Sequence, residues 1–212
     1  MKIALINENS QAAKNELIYQ TLEKVASKYG HTVDNYGMFG SDDQSLTYVQ
    51  NGLLAGILIN SGAADFVVTG CGTGSGAMLA CNSFPKVLCG LIVDPSDAYM
   101  FGQINDGNCA AFPFAKGFGW GAELNLEYCF EKLFNGPRGL GYPRERAIPE
   151  QTNKKILDSV KEITHTPMIE ILKRIDRTFL FDTINRDSFK KYFFENAKDP
   201  EIIAFCKEVL GL

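Results

Sequence analysis

Residues 67–82 read VVTGCGTGSGAMLACN, and this stretch decides the fold that we expect for the chain. A short apolar run passes into a turn with four glycines between Gly70 and Gly76, and a second apolar run follows. A buried strand that enters a helix through glycines is typical of α/β proteins with a parallel sheet. Cys71 lies inside this turn, where packing alone would require no glycines. The turn therefore predicts a place where backbone amides approach a ligand.

The flanking sequence repeats the alternation of strand and helix. Short apolar runs predict strands, and apolar residues at helical spacing predict helices. The expected strands are residues 2–6, 32–36, 65–69, 87–93 and 108–112. The expected helices are residues 11–29, 47–60, 75–82, 95–104 and 119–134. We therefore expect an α/β fold with a doubly wound, Rossmann-like parallel sheet of five strands. Ligands bind such sheets beyond the carboxyl ends of the strands.

The character of the sequence changes after Phe134. Residues 135–151, NGPRGLGYPRERAIPEQ, are rich in glycine, proline and arginine and predict a loop. Residues 151–212 predict helices throughout. We divide the chain into an α/β domain, residues 1–150, and a helical C-terminal extension, residues 151–212. The extension is expected to pack on the core or on a second subunit.

Composition excludes several classes of function. The chain has 212 residues and a net charge of -4, and it shows no basic patch of the kind that binds nucleic acid. No apolar stretch reaches the roughly 20 residues that a membrane helix needs, and no signal peptide is visible. We expect a cytoplasmic protein that binds neither nucleic acid nor membrane.

The cysteines and histidines do not have metal-ligand spacing. The sequence has six cysteines without a CxxC pair and two histidines, and we predict no metal site and no cofactor. Five cysteines lie in apolar surroundings and are most simply small core residues: Cys81, Cys89, Cys109, Cys129 and Cys206. Cys71 differs because its neighbours are glycines and Thr73.

The glycine turn is open to several functional interpretations. Amides at a helix N-terminus attract negative charge, and the same field favours a thiolate. A dinucleotide site would need a different glycine pattern after the first strand, and a cysteine phosphatase would need arginine where Ala77 stands. Proton transfer beside a carbonyl, with amides holding an enediolate, is the third interpretation. The simplest alternative is a glycine turn with a buried thiol.

The residues of the turn resemble a known family. Cys71–Gly76 with Ala80, Cys81 and Asn82 resembles the CGTGxG...AxN segment of the type B ribose-5-phosphate isomerase and galactose-6-phosphate isomerase family. MKIAL, GHTVDNYGMF, NDGNCAAF and the Gly136-Pro137-Arg138 segment follow in the family's order. The resemblance covers about residues 1–146. It implies an aldose–ketose isomerase of sugar phosphates that needs no metal and forms a homodimer, or a dimer of dimers, with shared active sites.

The resemblance also implies roles for individual residues. Cys71 is the base that moves a proton between carbons 1 and 2, and Thr73 assists it. Amides of Gly72, Gly74, Ser75 and Gly76 hold the enediolate oxygens. The expected substrate ligands are Glu8, Asn9, Asn82, Asn105 and Arg138, with Arg144 or Arg146 supplying a second guanidinium.

The sequence departs from the family pattern in two places. Glu8-Asn9 stands where the family has Asp-His, and Ile104 stands where it has the histidine that opens the sugar ring. Isoleucine carries no proton, so Glu8, Asp97 or Asp106 opens the ring or the substrate arrives open. We expect a pentose or hexose phosphate other than ribose 5-phosphate, with a ketose or a deoxysugar among the candidates. A sugar-phosphate sensor without activity and a thiol hydrolase or redox protein are the alternative hypotheses.

Overall fold

Five parallel strands form the centre of the molecule. The computed structural model describes residues 1–43 and 45–212, and in these residues the strand order is β2-β1-β3-β5-β4. The strands are β1 Lys2–Asn7, β2 Thr32–Asn35, β3 Phe66–Cys71, β4 Cys89–Leu91 and β5 Cys109–Pro113. Every described pair of neighbouring strands is parallel. The predicted doubly wound α/β fold is confirmed.

Helices connect the strands and then form the C-terminal extension. In the α/β part they are α1 Asn15–Lys28, α2 Tyr48–Ser61, α3 Ser75–Asn82, α4 Pro95–Met100 and α5 Ala122–Phe134. In the extension they are α6 Ala147–Thr164, α7 Met168–Arg174, α8 Arg177–Ile184, α9 Asp187–Asn196 and α10 Pro200–Leu210. Among the described residues, no helix combines the length and apolarity that crossing a bilayer requires.

Local capping explains where the elements depart from the predicted bounds. The helix expected at residues 11–29 is a 3-10 turn, Asn9–Lys14, followed by α1, because Glu8 caps the turn. The strand expected at residues 87–93 is limited to Cys89–Leu91, and Asp94 caps α4 three residues after its end. The helix expected at residues 95–104 is α4 followed by a π turn, Phe101–Asn105.

Side chains alternate between the two faces of the sheet and form two apolar clusters. Phe66 and Val68 of β3 pack with α1 and α5 on one face. Val67 and Cys71 pack with α2 and α3 on the other. This alternation follows from the two-residue period of a strand. It sets the direction of the Cys71 side chain, which leaves the sheet on the side of α3.

Most of the C-terminal extension packs on the core. Apolar residues of α7–α10 join the α2–α3 cluster and are buried there: Leu172, Leu180, Ile184, Phe189, Phe193, Ile202 and Cys206. Packing on the core, one of the two expected arrangements, therefore holds for α7–α10. The expected boundary at residue 150 falls inside α6, because that helix begins at Ala147.

Helix α6 differs from the other helices of the extension. Of the 18 residues of α6, all of which the structure describes, Lys161 alone is buried. Five apolar side chains of α6 are exposed to solvent: Ile148, Ile156, Leu157, Val160 and Ile163. An amphipathic helix normally turns its apolar stripe toward a core, so this face is available to another surface.

An ion pair joins the extension to the loop after β2. The Arg186 guanidinium donates to the Asp43 carboxylate and to the Ser45 hydroxyl. Burial by itself would raise the pKa of Asp43, but hydrogen bonds from Arg186 and from the Phe39 amide hold it below its ordinary value. The ionised form of Asp43 therefore stabilises the folded chain.

The pKa of Asp43 predicts a pH-dependent contribution to stability. Because the folded pKa is depressed, the contribution is present above the ordinary carboxyl pKa and is lost as the pH falls through the folded value. Asp43→Asn should lower the free energy of unfolding by about 1–2 kcal/mol at neutral pH. The difference from wild type should shrink toward pH ~3. Urea unfolding at the two pH values measures it, with the exposed neighbour substitution Asp42→Asn as control. An equal loss at both pH values would contradict the assignment.

Candidate active site

The order in which the chain adds strands to the sheet reverses between β1 and β3, and this switch point positions the candidate site. From β1 the chain first moves outward to β2 and then returns to β3 on the other side of β1. Asn7 pairs with Gly70, so the loops that begin at Glu8 and Cys71 leave the sheet side by side. A crevice opens at such a switch point, beyond the carboxyl ends of the strands.

Cys71 ends β3 at the edge of this crevice. The residue keeps 8% of its surface exposed, so its side chain is mostly covered by the α2–α3 cluster. The backbone is held from the side of β5. The Cys71 carbonyl accepts from the Phe114 amide at 2.9 Å, and the Gly72 carbonyl accepts from the Lys116 amide at 2.8 Å. These bonds fix the thiol at the start of the glycine turn.

Gly74 converts the strand end into the start of α3. Its φ is 76°, a left-handed conformation that disfavours other residues. A Cβ atom at this position would also lie 2.5 Å from Cδ1 of Leu91. The first helical bond runs from the Met78 amide to the Gly74 carbonyl at 2.9 Å. No described side chain caps α3, so the amides before Met78 have no partner within the helix.

The other predicted residues of the first two loops follow the same carboxyl ends of β1 and β3. Thr73 and Ser75 are exposed, and Gly76 lies under the Tyr48 ring, where an added Cβ would be 3.3 Å from Cδ2. Glu8 is buried, and its Oε2 accepts from the Ser10 amide at 3.0 Å. The Asn9 amide donates to the Leu46 carbonyl at 2.7 Å. The structure therefore brings together Glu8, Asn9 and residues 71–76.

A buried asparagine supports the crevice from below, and the sequence analysis did not identify it. Asn51 of α2 donates to the Thr69 hydroxyl at 3.1 Å and to the Ile6 carbonyl at 3.4 Å. Its Oδ1 is buried and has no hydrogen-bond partner among the described residues. The available signal was an asparagine within the apolar sequence of α2, since a buried amide usually has hydrogen-bond partners.

Two lysines next to the crevice were also missed. Lys14 donates to Gln11 Oε1 at 2.7 Å and to the Phe114 carbonyl, and its ammonium lies 4.5 Å from the Phe118 ring centre. Burial lowers the pKa of Lys14. Lys116 is exposed in the glycine-rich segment after β5. That segment, like the Cys71 turn, follows a strand end, and this position was the signal that could have identified it.

Asn105 and Arg138 lie at the amino ends of the strands, opposite the end at which Cys71 lies. The Arg138 guanidinium packs 4.8 Å from the Phe66 ring centre, donates to the Gly107 carbonyl and pairs with Asp106 at 3.4 Å. Burial lowers the pKa of Arg138, and Asp106 partly offsets this effect. Phe66 begins β3 and Cys71 ends it, a separation of about 17 Å at 3.3 Å per residue. Within one chain, the structure does not bring these residues to Cys71.

Arg144 and Arg146 belong to the same distant segment. They are exposed in a short turn before α6, and the loop ahead of them is fixed by the Gly141 amide, which donates to the Gln103 carbonyl at 3.0 Å. Their exposed guanidinium groups can contact a ligand, but at the end of the strands opposite Cys71.

The Asn82 side chain joins two elements of the fold. Its Nδ2 donates to the Cys89 carbonyl at 2.8 Å, and its Oδ1 accepts from the Cys89 amide at 3.0 Å. Both ends of the amide are therefore used to join α3 to β4. The geometry does not support the expected contact between Asn82 and substrate.

Profiles of known protein families match both the α/β part and the C-terminal extension of the chain. A family profile described as Ribose/Galactose Isomerase matches residues 3–127, and one described as Ribose-5-phosphate isomerase matches residues 163–209. No match was found among curated proteins. The second profile lies within the extension, for which the sequence analysis had no resemblance.

Solved structures similar to the chain include full-length matches. A 4-deoxy-L-threo-5-hexosulose-uronate ketol-isomerase complexed with a tartrate shares 59% identity, with 100% of both chains covered and a TM-score of 0.98. A ribose-5-phosphate isomerase from Vibrio parahaemolyticus shares 50% identity, with 99% of both chains covered and a TM-score of 0.97. The type B ribose 5-phosphate isomerase of Trypanosoma cruzi shares 18% identity over 76% of this chain and 99% of its own, with a TM-score of 0.63, and shows the fold alone.

The position of Asn82 predicts a variant that separates stability from binding. Asn82→Ala leaves two backbone groups of Cys89 without partners and should lower the free energy of unfolding by about 2–3 kcal/mol. Chemical denaturation measures this loss, and KM of the folded variant should stay at the wild-type value. Asn153→Ala, on the exposed surface of α6, is the control. A raised KM with unchanged stability would restore Asn82 to the substrate site.

Proposed function

The chain belongs to the Ribose/Galactose Isomerase family, and from this premise we propose that Cys71 is the base of its reaction. The enzyme is an intramolecular oxidoreductase that interconverts an aldose and a ketose. The observation that supports Cys71 is its place at the end of β3, beside the uncapped N-terminus of α3. In that position a thiolate and oxyanion-binding amides face the same crevice.

The proposed reaction moves one proton along the sugar without a net change in oxidation state. The Cys71 thiolate removes the proton from carbon 2 of the open-chain aldose, and the released electron pair forms the C1–C2 double bond of a cis-enediolate. Amides of Gly72, Gly74, Ser75 and Gly76 stabilise the negative charge on oxygen 1. Thr73 assists proton transfer between oxygens 2 and 1. The Cys71 thiol then returns its proton to carbon 1. The amides supply the charge stabilisation, so the proposed step needs no metal.

We propose that the site is completed by a second copy of the chain. Asn105 and the arginines of residues 138–146 lie at the opposite end of the strands, where they cannot reach Cys71 of the same chain. The exposed apolar face of α6 provides a surface on which two copies could associate. Arg138 is already bonded to its own chain, whereas Arg144 and Arg146 are exposed. Arg144 and Arg146 are therefore the first candidates for the anionic end of the substrate.

The family implies a sugar phosphate, but Ile104 favours a second substrate class. The relative at 59% identity is named for a 4-deoxy-5-hexosulose uronate. That sugar has no hydroxyl on carbon 4 or carbon 5 with which to close the usual hemiacetal ring onto its aldehyde. An enzyme for such a substrate has no need of a ring-opening histidine, and Ile104 stands where the family has one. We propose this open-chain uronate as the substrate, its carboxylate replacing the phosphate.

The substrate and the base are tested together. Wild type is assayed with the uronate, ribose 5-phosphate and galactose 6-phosphate in deuterated water. We expect kcat/KM for the uronate to exceed that for either phosphate by about tenfold or more. Solvent deuterium should enter the product. Cys71→Ala should lower kcat by a factor of about 10³ or more and abolish the exchange.

Each outcome of this assay decides one part of the proposal. Faster turnover of a phosphate would replace the substrate and leave the base intact. Full activity in Cys71→Ala would remove Cys71 from its role. Binding of all three sugars without deuterium exchange in wild type would favour the alternative, a sensor that keeps the fold.

Sharing of the site between two copies predicts complementation. Cys71→Ala and Asn105→Ala should each be nearly inactive alone. If one site takes Cys71 from one copy and Asn105 from the other, a refolded equimolar mixture should recover about a quarter of wild-type activity, because half of the dimers contain one intact site. A mixture that stays inactive, with dimers confirmed by light scattering, would show that the two residues act within one chain or not at all.

A further inference from the structure

Three cysteines converge at a place that the proposed reaction does not use. The Sγ atoms of Cys81, Cys89 and Cys109 all lie within 4.8 Å of one another. They come from the last turn of α3 and from the first residues of β4 and β5. Cys89 and Cys109 are register partners in neighbouring strands, so their side chains leave the sheet on the same face. Cys81 approaches that face from the helix above it.

This thiol cluster, Cys81, Cys89 and Cys109, is enclosed by protein. Cys81 and Cys109 are fully buried, and Cys89 keeps 9% of its surface. From the sequence, all three were expected to be small core residues. Packing accounts well for Cys129 and Cys206, which are also buried but do not belong to the cluster. It does not explain why three sulfur atoms from separate elements face one point.

We propose that Cys81, Cys89 and Cys109 bind one soft, thiophilic cation of the class that Cu⁺ represents. A metal–sulfur bond of about 2.3 Å places the sulfurs of a trigonal site about 4 Å apart. The observed separations of no more than 4.8 Å need only shifts below 1 Å to reach this geometry. Thiolates select soft ions such as Cu⁺ and also bind zinc. Structural zinc is almost always four-coordinate, and no fourth cysteine, histidine or carboxylate joins the cluster among the described residues.

A buried lysine near the cluster offers partial charge compensation. Three thiolates with Cu⁺ carry two negative charges, after each thiol has released one proton to solvent and with no change in redox state. Lys161 is buried nearby, and its Nζ donates to the Asn82 carbonyl at 3.0 Å. Burial lowers the pKa of Lys161, and the neighbouring Cys89 partly opposes this shift. Lys161 also lines a cleft of about 670 Å³ that opens to solvent.

Competition for Cu⁺ tests the site. The fully reduced protein is titrated without oxygen against the coloured complex of Cu⁺ with bicinchoninate. We expect wild type to withdraw one Cu⁺ per chain. Cys81→Ser and Cys109→Ser should lose this binding. Cys129→Ser and Cys206→Ser, which remove buried thiols elsewhere, should keep it, and so should Cys71→Ser. Circular dichroism checks that each variant is folded.

X-ray absorption at the copper edge keeps the proposal testable if a cluster variant does not fold. Loaded wild type should show three sulfur neighbours and no nitrogen or oxygen in the first shell. Failure of wild type to compete for Cu⁺ would overturn the proposal. It would also be overturned by a mixed nitrogen–sulfur shell, or by loss of binding in Cys71→Ser with retention in Cys109→Ser.

Discussion

The pairing of β1 with β3 is the constraint on which the rest of the structure depends. Asn7 lies opposite Gly70, and this register places the next residue of each strand, Glu8 and Cys71, at the start of adjacent loops. A shift of one residue would turn the Cys71 side chain to the α1–α5 face, because side chains alternate along a strand. The thiol would then point away from the amides of α3. The candidate chemistry thus follows from a backbone pairing in the core of the sheet.

Glycine at position 74 carries the second requirement of the site. A left-handed residue is needed to turn the strand end into α3, and the Leu91 side chain leaves no room for a Cβ. The same turn leaves the first amides of α3 without helical partners. Backbone groups held in this way meet a developing negative charge without reorganising, which is the main advantage of an oxyanion-binding turn. The sequence pattern and the tertiary packing agree at this point.

Other predicted ligands lie at the end of the strands opposite Cys71, which leaves open how they reach the same substrate. Asn105 and Arg138 are anchored by the π turn after α4 and by the start of β3. A rigid sheet separates them from Cys71, and small movements of side chains cannot close that distance. Two copies of the chain, joined through the apolar face of α6, offer a physical solution. The thiol cluster lies on the α2–α3 side of the sheet and remains independent of this question.

The sequence by itself determined the alternation of strands and helices, the glycine turn and the identity of Cys71, because these depend on local periodicity and on glycine's backbone freedom. It also identified the departure at Ile104, which requires only the order of residues. Only the tertiary structure decided that Asn82 bonds to Cys89, that Arg138 packs on Phe66 and that α6 leaves its apolar face uncovered. Only the fold brought three distant cysteines together. Such contacts depend on strand order and register, which join residues far apart in the chain and leave no signal in the spacing of neighbouring residues.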